Sequence, residues 1–217
     1  MIPPDLPDLA KSQQLLRHLY RSRTSRARFR DRIPAYLRWG RYRKLVERDI
    51  LANWPGGYVL INERDYFYVP GGTDIMSSHY LIRPADSEPV VANFCPSGGV
   101  AMDVGANFGE WSLQMARAVG QTGQVFAFEP SADIAEALRK TLRVNGQSQT
   151  TVIEAAVSSR AGDAEFTVNE AHSGKSGIDI GNTDGASNKV TVKTISLDDF
   201  ARRQTLRRLD LIKIDVE

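Results

Sequence analysis

Seven residues, Asp103-Val-Gly-Ala-Asn-Phe-Gly109, bring an acid, two glycines and an asparagine into a span short enough to be one turn. Glycines there let a ligand approach the backbone closely, and amides at a helix start are available to a polar or anionic group. A second acid, Glu129, stands at the end of the next apolar run. A carboxylate in that place can accept hydrogen bonds from both hydroxyls of a ribose. Two further acids, Asp215 and Glu217, follow the apolar run that closes the chain. Carboxylates there can orient or deprotonate an acceptor hydroxyl, or help hold an ammonium group.

The glycine turn fails as a dinucleotide fingerprint. Counted from Gly105, the second and third glycine positions of G-x-G-x-x-G hold Asn107 and Glu110. Negative charge at Asp103 and Glu110 also sits poorly beside a pyrophosphate. S-adenosylmethionine makes the opposite demand, since it carries an ammonium and a sulfonium and no phosphate. An acid ending the first strand suits that cargo. Glu129 supports an adenosine-type ligand in either case. Its plainer reading is a solvated acid ahead of Pro130 and the following helix.

Positioning these residues requires alternating strands and helices. Val100–Val104 reads as a buried strand, followed by the glycine turn and a helix over 110–119. A strand over 124–129 and a helix over 132–145 follow, with Gly146 as the stop. The run 151–157 predicts a third strand of this body. Segments 164–168 and 190–194 are strand-like around a Gly/Ser/Asn-rich loop, 197–201 is a short helix, and 209–216 is a further strand. Such alternation predicts parallel strands with right-handed crossovers, an α/β, doubly wound, Rossmann-like sheet.

Composition bounds the rest. The chain has 217 residues, 41% apolar and 25% charged, enough for a real core and inconsistent with a disordered, collagenous or disulfide-stapled protein. Its one cysteine, Cys95, cannot form an internal bridge, which favours a reducing, cytoplasmic setting. The uncharged run 89–102 is too short to span a bilayer, and the first residues lack the order of a secretory signal. The net charge of +2 conceals an asymmetry: residues 10–48 carry 13 Lys/Arg against Asp31 and Glu47. Three regions are expected: a basic helical arm over 1–55, a small β-rich segment over 56–97, and a ligand-binding domain over 98–217.

In the arm, Trp39, Tyr42, Val46, Ile50 and Trp54 form one helical stripe that ends at Pro55-Gly56-Gly57. The arm is either a solvated face or a contact for an anionic surface. In the β-rich segment, 58–61, 66–69 and 79–82 read as strands. No His/Asp spacing supports a metal site. His172, in the loop His172-Ser-Gly-Lys-Ser-Gly177, is placed to overhang the site but reads better as a surface histidine than as a base.

Four blocks carry a family resemblance: Asp103-Val-Gly-Ala-Asn-Phe-Gly109, Val125-Phe-Ala-Phe-Glu-Pro130, Leu197-Asp-Asp199, and Asp210-Leu-Ile-Lys-Ile-Asp-Val-Glu217. In this order they resemble the FkbM-type family of S-adenosylmethionine-dependent methyltransferases, over roughly residues 98–217. The resemblance implies a class I methyltransferase fold and methyl transfer to a hydroxyl of a sugar, glycolipid or polyketide-like metabolite. It places Asp103, Gly105, Asn107 and Gly109 along the methionine end of the cofactor, Glu129 at the ribose, and Asp215 and Glu217 where substrate meets methyl donor.

Competing readings differ in what they require. A nucleic-acid methyltransferase guided by the basic arm would be expected to carry an Asn/Asp-Pro-Pro-aromatic tip where this chain has Ile-Asp-Val-Glu, and Cys95 precedes the first strand, where no base-attacking nucleophile is expected. An NAD-binding oxidoreductase is disfavoured by Asn107 and Glu110. A non-catalytic binding module is a further reading, in which the basic arm is an adaptor to an anionic membrane or glycolipid layer. A full class I sheet has seven strands, and this sequence supplies about four. The expectation is a C-terminally truncated chain with an apolar edge at its last strand, weak cofactor binding and no turnover.

Overall fold

A computed structural model describes residues 54–61, 64–72, 88–169, 172–178 and 187–216. The chain divides into two compact units, Met1–Arg83 and Pro84–Glu217. The basic arm, the strand expected over 79–82, most of the helical stripe ending at Trp54, and Glu217 lie outside the described residues.

In the first unit, β1 (Gly57–Ile61) and β2 (Asp65–Val69) form an antiparallel hairpin, where the runs 58–61 and 66–69 predict strands. Val59, Phe67 and Val69 are buried, and the Trp54 indole N–H donates to the Val69 carbonyl at 2.9 Å. Tyr58 and Tyr68 are register partners whose rings meet edge to face at 5.3 Å.

The second unit opens with α1 (Glu88–Phe94), a helix inside the segment expected to be β-rich. Its Val91 is buried, as is Cys95 just beyond the helix end, in a cluster with Ala101, Met115, Ala116, Val119 and Val125. Then come β3 (Val100–Val104), α2 (Glu110–Val119), β4 (Gln124–Phe128), α3 (Ala132–Val144) and β5 (Thr150–Ile153). The last two elements are α4 (Leu197–Arg203) and β10 (Leu211–Ile214), so the final strand is shorter than its apolar run.

These strands make one parallel sheet in the order β10-β3-β4-β5. Alternate residues supply its two faces. Ala101, Val125 and Ala127 pack towards α2 and α3, with Leu138 and Leu142 closing that side. Val100, Met102, Val104, Phe126 and Phe128 pack on the other face around Phe200 of α4. The Phe200 ring stands edge-on to both Phe126 and Phe128, at 5.0 Å from each. Helices on both faces of a parallel sheet are the doubly wound arrangement expected. Helix α4 is capped by Ser196, whose hydroxyl accepts from the Asp199 amide at 3.1 Å, with Asp198 and Asp199 in its first turn and Arg202 and Arg203 in its last.

One expected strand is two. The run over 151–157 continues β5 only to Ile153, then resumes as β6 (Ala156–Val157), which pairs with β9 (Ser187–Ile195) instead of β4. The Ala155 amide donates back to the Ile153 carbonyl at 3.0 Å, a tight reversal that breaks the ladder. Beyond it, a second sheet runs in the order β6-β9-β7-β8, with β7 (Gly162–Asn169) antiparallel to β9 and to β8 (Gly177–Ile178). Phe166, Val192 and Ala156 form its small core. Among the described residues, no helix is long and apolar enough to cross a membrane.

Candidate functional site

The glycine turn leaves β3 and is fastened to β4 at once: the amides of Gly105 and Ala106 both donate to the Phe128 carbonyl, at 3.1 and 3.0 Å. Two of its glycines answer to steric limits. Gly105 has φ +74°, and a Cβ there would stand 2.1 Å from the Asp215 carbonyl oxygen. Gly109 has φ +94°, and its Cβ would meet Leu138 Cδ1 at 2.3 Å. Glycine is therefore required twice, once against the tip of β10 and once against α3.

Asn107 lies between them with φ +49°, a left-handed conformation that asparagine tolerates. Its side-chain oxygen accepts from the Phe108 amide at 2.9 Å, which stabilises the turn locally. Its backbone amide donates to Glu129 Oε2 at 3.0 Å, and its Nδ2 donates to Ser173 Oγ at 3.2 Å. One residue thus links the turn to the acid after β4 and to the loop after β7.

Glu129 is 6% exposed. Its other oxygen, Oε1, accepts from the Ser131 amide at 2.9 Å at the start of α3. Burial is the main influence on this carboxyl and pushes it up to about 7; the Ser131 and Asn107 amides oppose the rise, Asp103 adds to it, and Lys213 works against it. The acid is held in a fixed orientation by two backbone donors, with further lone pairs on both oxygens for a ligand.

Asp103 is fully buried. The Ser112 hydroxyl on α2 donates to its Oδ2 at 2.6 Å. Lys213 Nζ stands 3.1 Å from Oδ1 in an ion pair, yet off the line of a hydrogen bond, so that oxygen has no aligned donor. The lysine instead donates to the Gly105 carbonyl at 2.7 Å. Asp215, just past β10, donates its amide to the Val104 carbonyl at 3.1 Å and extends an exposed carboxylate 3.8 Å from the same ammonium.

The structure therefore brings Asp103, Gly105, Asn107, Gly109, Glu129 and Asp215 to the carboxyl ends of β3, β4 and β10, while Glu217 lies outside the described residues. Sequence reasoning missed Lys213, Ser112 and Ser173. Lys213 is two residues from Asp215, a spacing that puts two strand side chains on one face, but only the β10–β3 register sets it opposite Asp103. The loop carrying His172 does reach the turn, through Ser173, and His172 Nδ1 is enclosed without a hydrogen-bond partner. No group of three His, Cys, Asp or Glu suited to a metal ion occurs among the described residues. The donor set fits a nucleoside: a glycine turn too close for side chains, beside a fixed buried acid.

No curated protein matches the chain. Solved structures that resemble it include a SAM-dependent methyltransferase from Aquifex aeolicus, at 22% identity over 32% of this chain and 38% of that one, TM-score 0.31. Others are Trm5b from Pyrococcus abyssi (17% identity, 48% of this chain, 31% of that one, TM-score 0.38) and M. jannaschii TYW2 in complex with AdoMet (14%, 45%, 42%, TM-score 0.33). The chain spans less than half the length of each. The profile of the methyltransferase FkbM domain matches residues 103–217, and the chain belongs to that family of methyltransferases.

Proposed function

We propose that this chain forms the cofactor site of an S-adenosylmethionine-dependent O-methyltransferase acting on a hydroxyl of a sugar, glycolipid or polyketide-like metabolite. The observation that carries the reading is the hydrogen bond from the Asn107 amide to Glu129, which sets a buried carboxylate beside a glycine turn at the ends of adjacent parallel strands. In this reading Glu129 accepts from the ribose hydroxyls, Gly105, Asn107 and Gly109 line the methionine end, and Asp103 acts from beneath them. The acceptor lies towards the β10 tip and the loop over 169–189. A buried, unbridged Cys95 agrees with a cytoplasmic setting, and the basic arm is left as a contact for an anionic surface.

S-adenosylmethionine supplies a methyl group on a sulfonium, so that the leaving group is a neutral thioether. The chain must align an acceptor oxygen with that methyl and remove the hydroxyl proton as the new C–O bond forms, because a free alcohol is far too weak an acid to ionise beforehand. Of the two acids after β10, Glu217 is given that proton, which leaves Asp215 for the cofactor. In a chain that turns over, Glu217→Gln is expected to lower kcat about 100-fold or more. Unchanged kcat would remove Glu217 from this role.

Calorimetric titration with S-adenosylhomocysteine, with NADH in parallel, tests the proposal. Saturable binding of the first alone is expected. Binding of NADH alone would replace the reading with that of an oxidoreductase.

A further inference from the structure

We propose that Lys213 is a positioning residue of the cofactor site, one that cancels the charge of Asp103 and leaves Asp215 as the carboxylate facing the cofactor's ammonium. The inference rests on the function proposed above. Lys213 and Asp103 are register partners across β10 and β3, so both side chains share the face covered by α2. The Lys213 side chain is 14% exposed and that of Asp103 is fully buried.

A buried carboxylate without compensation is costly, and Asp103 is compensated from within the fold. Lys213 Nζ stands 3.1 Å from one oxygen, and the Ser112 hydroxyl donates to the other at 2.6 Å. No negative charge is left over at this position for a ligand's ammonium. Asp215 differs in both respects. Its side chain is 84% exposed, and the lysine is 3.8 Å distant, beyond hydrogen-bond reach.

The same ammonium has a second task. By donating to the Gly105 carbonyl at 2.7 Å it ties the glycine turn to β10, on the strand whose tip carries Asp215. Gly105 already lies so close to the Asp215 carbonyl that no Cβ fits between them. Lys213 thereby sets the spacing between the turn and the Asp215 carboxylate, the gap in which the amino-acid end of the cofactor would lie.

A merely structural ion pair would predict different behaviour from paired variants. The full chain and its Lys213→Met, Asp103→Asn, double and Asp215→Asn variants would be followed by thermal unfolding without ligand. Calorimetry would use S-adenosylhomocysteine and 5′-methylthioadenosine, which lacks the amino-acid end. Lys213→Met is expected to lower Tm and the double variant to recover most of it, since removing both charges of a buried pair is often near neutral. The double variant and Asp215→Asn should bind S-adenosylhomocysteine at least tenfold more weakly, with methylthioadenosine affinity unchanged.

Wild-type affinity in the double variant would reduce the pair to a structural role and overturn the inference. So would loss of S-adenosylhomocysteine binding in Asp103→Asn at unchanged Tm, with Asp215→Asn silent. A wild-type chain that binds neither nucleoside would instead overturn the proposed function, and the cofactor roles of Lys213 and Asp215 with it.

Discussion

Glu129 shows how much one side chain depends on its surroundings. As a residue type it is an ordinary surface acid; in the fold it is 6% exposed and its ionisation is pushed up to about 7, chiefly by burial. The fold therefore favours its neutral form. Between the ordinary glutamate value of 4.5 and about 7 the unfolded chain has released this proton while the folded chain keeps it. This carboxyl's contribution to stability thus falls as pH rises through that window and is level above it. Cofactor binding has the opposite sign, because two ribose hydroxyls donate best to the ionised form. Affinity for S-adenosylhomocysteine is expected to rise about tenfold per pH unit up to about 7 and then flatten, with proton release at pH 6. Titrations in two buffers of different ionisation enthalpy would measure that proton; a flat profile would place the ribose elsewhere. Glu129→Ala should cost about 1.5–3 kcal/mol for each charge-assisted hydrogen bond lost, and would also strand the Asn107 and Ser131 amides.

At the scale of elements, the glycine turn and α4 carry distinct stresses. Gly105→Ala would force a Cβ against the Asp215 backbone at a left-handed φ, where no side chain can yield. The conformational term alone is about 1–2 kcal/mol. The expected result is loss of stability together with loss of cofactor binding, read by thermal unfolding and calorimetry. Phe200→Ala tests the opposite face. That ring sits edge-on to Phe126 and Phe128 and is buried, so its removal should cost about 3–5 kcal/mol in denaturant unfolding. The alternation of β3, α2, β4 and α3 was legible because each strand is a continuous apolar run and each helix has its own stop. The division between β5 and β6 was not. Apolar residues resume directly after the single Glu154, and the reversal at Ala155 is made by a backbone hydrogen bond that leaves no mark on residue types.

For the whole molecule, the open side of β10 is expected to govern self-association. Among the described residues this strand pairs with β3 alone, and Leu209, Ile212, Ile214 and Val216 are exposed on it or beside it. An exposed apolar edge invites pairing with another chain. For a chain ending at Glu217, Ile214→Lys is expected to reduce self-association with concentration, followed by light scattering, without changing S-adenosylhomocysteine affinity. Equal scattering from both chains would show that this edge is not the sticking surface.

The sequence by itself determined the parallel α/β order, the glycine turn, the two acids Asp103 and Glu129, and the family, because each is written in residues close together along the chain. Spacing of three and four, period-two alternation and a seven-residue motif all express local physics. Only the tertiary structure decided what those residues meet. Parallel pairing set Lys213 opposite Asp103 across a separation of 110 residues, and burial changed Glu129 from a solvated acid into a tuned one. The second sheet brought Ser173 to Asn107. Register and burial are properties of packed elements, and a chain read one residue after another contains neither.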